Sequence, residues 1–429
     1  MRLVQYIRLF YLIILLLSNV RINLKAEDRV DYKYEDYSEE NGRIRVKTSS
    51  ILFEKELSEN INTQGAFVYD GISGATPTGA PPIPGEYEGD TTDITDIRRA
   101  GFINAEYSFD DYLLTPQIAY SKESDYESIG LSLKSSRYFN DKNTTFTVGL
   151  GHDFDKIIPN FGMLINSKKE KDNSQFLVGL NQNINTKTIL SLNLSLGYTD
   201  GYLSDPYKGV LFEDYYTPTP KEINELSQFL SIEEIEEIYS YKIGDPYVLF
   251  PEKRPSKKFR QVALISILHY LEKIRTGVDF SYRFYHDDFG INSNTLAFTW
   301  RQKITDMFIL EPSYRFYNQS AANFYDSSFK FGNPDANANN TPGNYSSDFR
   351  LSDFDSHTYG LKLVYNHSDS LSFNISWKRY SMIGNDKITS PSAYIDADIF
   401  SGGFKIWYWN KKKANILILK SKKESEILH

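Results

Sequence analysis

Apolar and polar side chains alternate along much of this chain, and turns repeatedly interrupt the alternation. Between Ile189 and Tyr198, Leu190, Leu192, Leu194, Leu196 and Tyr198 share one parity, and Ser191, Asn193, Ser195 and Gly197 share the other. The pattern returns at Leu371, Phe373, Ile375 and Trp377 against Ser372, Asn374, Ser376 and Lys378. It returns again at Val278, Phe280, Tyr282 and Phe284 against Gly277, Asp279, Ser281 and Arg283. Successive side chains of a strand point to opposite faces, so each segment predicts a strand with one apolar and one polar side. Segments of about ten such residues separated by turns are the pattern of an antiparallel β-barrel that crosses a membrane.

Composition agrees. Aromatic residues make up 15% of the 429 positions, yet the mean hydropathy is negative. Amphipathic strands produce that combination because their apolar halves are diluted by their polar halves. The chain has no cysteine, which removes disulfides, thiol catalysis and thiolate metal sites from consideration. Arg2 and Arg8 precede the apolar run Leu9 to Leu17. That arrangement predicts a signal peptide cleaved after Ala26, and the run is short for a spanning helix. The predicted organisation is therefore signal peptide 1–26, barrel 27–410 and polar tail 411–429. The net charge is −8, and removing 1–26 takes away Arg2, Arg8, Arg21 and Lys25 but no acid. A chain this acidic lacks the basic footprint of a nucleic-acid binder.

The pattern predicts about sixteen strands at 29–38, 43–57, 61–72, 96–109, 112–122, 126–138, 143–155, 175–185, 188–200, 257–270, 273–286, 293–303, 308–321, 356–367, 370–381 and 398–409. Short and mostly longer links alternate between them, which fits short periplasmic turns and long extracellular loops. An even count requires the weakly patterned first segment to be a strand. The long insertion 201–256 contains a helical pattern with Glu233, Glu234, Glu236 and Glu237, expected as a solvated helix packing on the loops, with an external acidic cap as the alternative. Segment 322–355, rich in Asn, Ser, Gly and Asp, is expected as a flexible external loop.

Parity assigns faces. Leu296, Phe298, Trp300, Tyr314, Phe316, Tyr359 and Leu361 are expected toward lipid. Arg98, Arg275, Arg283, Arg301, Arg315, Lys362 and Lys378 are expected inside, with Asp70, Glu106, Asp279 and Glu311. A Lys or Arg on the lipid face at mid-membrane costs about 2–4 kcal/mol, so lumen placement wins. Such a mixed lumen suits either a water-filled pore with a transverse field or a network of ion pairs closing the barrel. Sixteen strands leave room for water unless loops fold in.

Tyr69-Asp70-Gly71-Ile72-Ser73-Gly74-Ala75-Thr76-Pro77 ends the third predicted strand, and Asp96-Ile97-Arg98 begins the fourth. A hairpin there brings Asp70 and Arg98 together at the outer mouth. Asp70 to Pro77 resembles the D-x-I-S-G-A-T-P run of an uncharacterised family of bacterial outer-membrane proteins, a domain of unknown function of the DUF3570 type. Gly201 to Tyr207, Glu252-Lys253-Arg254-Pro255 and Ser392-Ala393-Tyr394 are similar to the same family. The resemblance spans the mature chain and implies an outer-membrane barrel, but no activity or ligand. The acidic helix and the tail after Trp409 depart from it. Asp70, Ser73, Thr76, Asp96, Arg98, Asp205 and Arg254 suit a mouth site for a cation or polar solute, and a structural clasp for the loops is the simpler reading. The oxygens of Asp70, Ser73, Thr76 and Asp96 are of a kind that binds Ca²⁺, although their spacing fits no metal-loop template.

Catalysis is not expected. No phosphate loop, dinucleotide fingerprint or zinc motif occurs. His152, His286 and His357 fall on outward parity, while His269 is read as inward near the periplasmic end. No cofactor or metal is predicted. The expected partners are outer-membrane lipid, the barrel-assembly machinery and small polar solutes. The expected function is a porin-like channel for such solutes or ions in the outer membrane of a Gram-negative bacterium. The alternatives are a closed barrel displaying its loops for adhesion or assembly, and a barrel-embedded hydrolase.

Overall fold

A computed structural model describes residues 28–77, 91–159, 167–213, 224–231, 234, 247–330 and 343–408. The predicted signal peptide, the C-terminal tail and most of the acidic helix lie outside these residues. Of that helix, one turn at 224–226 is described, and Ser231 and Glu234 cap each other through backbone N–H bonds of 3.2 and 2.8 Å.

The first nine strands are β1 (Asp28–Glu39), β2 (Arg45–Ser58), β3 (Ile61–Pro77), β4 (Thr91–Phe109), β5 (Tyr112–Lys122), β6 (Tyr126–Phe139), β7 (Thr144–Ile157), β8 (Lys169–Asn185) and β9 (Thr188–Gly201). Two short strands follow, β10 (Gly209–Glu213) and β11 (Tyr247–Pro251). Next come β12 (Lys257–Leu271), β13 (Thr276–Asp287), β14 (Asn292–Lys303) and β15 (Phe308–Gln319). The last are β16 (Phe329–Lys330), β17 (Phe354–Ser368), β18 (Leu371–Gly384) and β19 (Asp396–Tyr408). All but β10, β11 and β16 form one closed barrel of sixteen strands. Every neighbouring pair in the barrel is antiparallel, and β1 closes it by pairing with β19 from Asp28↔Tyr408 to Glu39↔Ala397. The weakly patterned first segment is thus the closing strand. Closure leaves no unpaired strand edge.

The register fixes the faces, because directly paired residues share a side. Leu194 and Ile375 lie on the outer face and are 60% and 64% exposed. With Leu150, Phe67, Ile103 and Phe400, also more than half exposed or nearly so, they form an apolar band too extensive for a protein bathed in water. Lipid is the solvent that suits it.

One rim is built from tight turns. Ser58↔Ile61 encloses a two-residue turn, and Asp110, Asn140 and Asp141 take positive φ values of 48°, 52° and 52°, as short polar side chains tolerate. The opposite rim carries the long links. There β10 pairs with β11 antiparallel and with β16 in parallel. The sequence pattern did not anticipate this small sheet, which gathers pieces of both long insertions into a cap. Phe212 of β10 is 1% exposed, and its ring centroid lies 5.2, 5.8 and 5.0 Å from those of Phe250, Phe329 and Tyr345. The expected flexibility of 322–355 is corrected for its described parts: Ser346, Asp348, Phe349 and Leu351 are all buried.

Candidate functional site

The cap rests on the lumen wall. Phe349 packs with Phe354 and Met382 and against Tyr317, Tyr380 and Tyr394, and the strand residues among these have lumen parity. Across the mouth, the Lys208 ammonium lies 3.4 Å from Thr76 Oγ1 on β3, and the Tyr207 hydroxyl donates to Asp125 between β5 and β6. The Arg43 guanidinium donates to the carbonyls of Ser392, Ala393 and Tyr394 at 3.0, 3.1 and 3.1 Å and pairs with Glu39 at 3.2 Å. The cap therefore touches β13–β18 on one side and β1–β6 on the other. Arg43 escaped notice because its partners are backbone atoms some 350 positions away.

An ion cluster holds the cap together. Arg254 pairs with Glu252 at 2.7 Å and with Asp348 at 2.8 Å. Arg350 pairs with Asp205 at 2.5 Å and donates from Nε to Asp348 at 2.8 Å. The Glu252 and Asp348 side chains are fully buried. Burial pushes the Glu252 carboxyl up, against the pull of Arg254. Burial acts the same way on Asp348, but Arg350, Arg254 and Lys208 together outweigh it and hold that carboxyl well below the usual range. Ser204 Oγ accepts from the Arg254 amide at 2.9 Å. Asp205 and Arg254 thus meet each other's partners here, and neither reaches Asp70.

Asp70 and Arg98 do meet, at 2.6 Å, across the β3–β4 pair, with the Asp70 carboxylate 3% exposed. Ser73 is corrected: it pairs with Arg45 and Thr95 on the outward parity and is no part of an inner site. Gly74 has φ +120°, and a Cβ there would collide with the Arg43 carbonyl oxygen, so only glycine lets β3 pass the β1–β2 turn. Asp96 faces Glu123 and Asp125, with ligand oxygens of the three within 4.8 Å of one another. Burial pushes the Glu123 carboxyl up, Arg98 opposes, and Asp125, Asp96 and Asp70 add to it. Asp96 is already engaged by the Ser124 amide and hydroxyl, at 3.2 and 2.9 Å, and Asp125 by Tyr207. These contacts tie loops to one another.

Down the lumen, Glu106, Asp279, Arg283, Arg301, Glu311, Arg315, Lys362 and Lys378 lie on the inward parity. Arg275 does not: it follows the 3-10 turn Glu272–Ile274 at φ 52° and pairs with Asp306 of the next tight turn at 2.5 Å. Parity counted back from Gly277 fails there because the strand has already ended. His269 is likewise corrected to the outward parity, opposite Val278, and its Nδ1 lies 2.9 Å from Thr188 Oγ1.

The inward charges are segregated. Lys362 pairs with Glu311 at 3.2 Å, and Arg301 with Asp279 at 3.3 Å. Arg283, Arg315 and Lys378, on β13, β15 and β18, have no carboxylate within ion-pair distance among the described residues, although Arg283 and Arg315 stack on Tyr285 and Tyr317. Arg260 on adjoining β12 binds Asn173 Oδ1 at 3.0 Å. On the opposite wall, Glu106 of β4 and Asp153 of β7 have no cationic partner, and Lys134 on β6 no anionic one; Asp153 accepts from Asn173 at 2.8 Å. An unpaired ammonium in a dry interior costs several kcal/mol, so the space beside Lys378 is a watered one.

On the outer face, His152 Nδ1 lies 2.9 Å from Ser174 Oγ, and its Nε2 lies 3.8 Å from Asp172. The carboxylate is beyond hydrogen-bond reach of the ring.

Residues 17–88 and 88–402 match the model of a family described as Protein of unknown function (DUF3570). The chain belongs to this family. Three of the segments similar to it, Gly201–Tyr207, Glu252–Pro255 and Ser392–Tyr394, meet in the cap. No curated protein gives a significant sequence match. Among solved structures, the siderophore receptor PirA from Pseudomonas aeruginosa is similar with 10% identity over 89% of this chain and 62% of that one, at a TM-score of 0.41. CdiB from Acinetobacter baumannii shows 10% identity over 88% and 60%, at 0.47. A loop-deletion mutant of OmpT, an outer membrane protein of Vibrio cholerae, shows 10% over 89% and 98%, at 0.33. The DUF3570 chain spans about three fifths of the length of PirA and CdiB. Overlaps this loose carry no argument about ligand or activity.

Proposed function

We propose that this DUF3570 protein is an outer-membrane pore for small polar solutes, exported by the signal peptide 1–26 and inserted by the barrel-assembly machinery. The tight turns then face the periplasm and the cap faces outward. The observation that carries the reading is the charge segregation in the lumen among the described residues: Arg283, Arg315 and Lys378 without carboxylates on one wall, and Glu106 and Asp153 without cations, beside Lys134, on the other. Opposed walls of this kind impose a transverse field that orders polar solutes and water, while the loops at the mouth set the size limit.

Single-channel conductance of the refolded protein in a planar bilayer tests it. Stable conductance whose ion selectivity shifts in Arg301→Ala/Arg315→Ala is the expected result. Silence from a correctly folded, heat-resistant barrel rejects the pore. The buried cap core, with Phe212 and Asp348 sealed from solvent, supports the second reading, a closed barrel that displays its loops, and silence would leave that one standing.

A further inference from the structure

Inside the barrel, a cavity of about 480 Å³ lies against the wall from β14 through β15, β17, β18, β19 and β1 to β2. Lys33, Arg301, Lys362, Lys378 and Lys405 line it, against two acids, Asp31 and Glu311. Both acids are taken, Asp31 by Lys405 and Glu311 by Lys362, each at 3.2 Å. Lys33 and Arg301 are met by acids just outside the lining, Glu35 at 2.5 Å and Asp279 at 3.3 Å. Among the described residues, Lys378 alone of the five has no carboxylate within ion-pair distance.

Its surroundings are built to receive an anion. Lys378 pairs in register with Gly360, which pairs on its other side with Ser313. A methyl group on Gly360 would sit 2.5 Å from Ser313 Oγ and 3.3 Å from Lys378 Cγ. Because Gly360 has no side chain, that hydroxyl and the lysine stem close in over its backbone and stand side by side. Arg315, the next carboxylate-free cation, stands one same-face step toward the cap, paired with Thr358. Lys378 supplies a mobile point charge and Arg315 a planar fork suited to two-oxygen anions. The neighbouring ion pairs are half-exposed and hold each other only weakly, so their cations can turn to a passing solute.

We propose that Lys378, with the Ser313 hydroxyl beside it across Gly360, is a binding station for small oxyanions, carboxylates or phosphates, and that it makes the lumen anion-selective although the chain as a whole is acidic. The selectivity rests on the pore reading; the binding does not.

The test has two arms. In planar bilayers across a KCl gradient, the wild type is expected to pass Cl⁻ in preference to K⁺, and inorganic phosphate or succinate is expected to reduce the Cl⁻ current. Lys378→Gln should lose most of that block and move the permeability ratio severalfold toward unity, while Lys134→Gln on the opposite wall keeps the block. Cation preference with no effect of either anion overturns the station and leaves the pore intact. A silent bilayer rejects the pore, and the second arm then decides the station. In detergent, ³¹P line broadening of phosphate and ¹³C broadening of succinate by the folded protein, both lost in Lys378→Gln, uphold it. No broadening overturns it. Phosphate broadening without succinate, or the reverse, names the class. Gly360→Ala, which forces the Ser313 hydroxyl and the Lys378 stem apart and leaves every charge, should weaken either anion's effect as Lys378→Gln does.

Discussion

The cap and the lumen treat charge in opposite ways. In the cap, Glu252 and Asp348 are buried completely, and each has an arginine within 2.8 Å. In the lumen, Arg315 and Lys378 have no carboxylate within ion-pair distance among the described residues, and both are exposed. The difference follows from water. A desolvated charge needs a partner, because its lost hydration is worth several kcal/mol. A hydrated charge needs none, and pairing it gains about 1 kcal/mol or less. Cap charges are therefore bound up with stability, and lumen charges are not.

Breaking the cap should have the largest effect. Arg254→Ala leaves two buried carboxylates short of a partner and should destabilise the cap by about 3–5 kcal/mol, seen as cleavage within 202–256 by an added protease while the barrel stays heat-resistant. Phe212→Ala empties a site that is 1% exposed and should cost the same element about 3 kcal/mol, measured by loss of the tyrosine near-ultraviolet circular dichroism.

Acid sharpens the contrast further. The folded pKa of Asp348 is depressed, so its contribution is present above the unfolded value near 4 and is lost as pH falls below it. Burial shifts Glu252 the other way, so protonation relieves that carboxyl as the pH falls. The near-ultraviolet signal of the cap should hold from neutral pH to about 5 and decline below about 4. Asp348→Asn should start lower and lose most of that acid dependence. A wild-type signal unchanged at pH 3 would contradict the assignment of the cap's acid lability to this carboxylate.

The smallest expected effect on stability belongs to the lumen. Asp279→Asn breaks a pair whose members are both 38% exposed and should cost less than about 1 kcal/mol. It also releases Arg301 into the lumen and should raise anion preference in the same bilayer recordings. A loss comparable to Arg254→Ala would mean that the lumen is dry.

The barrel was legible because lipid on one side and water on the other enforce a period of two, visible in Leu190 to Tyr198. That pattern places Asp70 opposite Arg98 and puts Arg283, Arg301, Arg315, Lys362 and Lys378 on one face. It fails where the two solvents cease to differ. Val262-Ala263-Leu264-Ile265-Ser266-Ile267-Leu268 is apolar on both parities, so nothing in it told which way His269 points. Arg275 was misplaced because alternation does not show where a strand stops and a 3-10 turn begins. The cap was illegible for another reason. Val210-Leu211-Phe212 and Phe329 are too short to carry a period, and their partners lie more than thirty residues away in sequence. The same distance hid Asp348 and Arg350 from Arg254, although the other three members of the cluster, Asp205, Glu252 and Arg254, stood in the segments read as resembling the family.

The seam between β1 and β19 has a consequence for how the molecule comes into being. Asp28 cannot meet Tyr408 until nearly every residue between them has been synthesised and threaded into place. The ring's last ladder is its most non-local one, the kind of contact that forms slowly. Until it forms, two open edges flank a half-made cylinder. Both strands also leave the ring at the tight-turn rim, so short tags joined before Asp28 and after Tyr408 would emerge on the same side of the membrane.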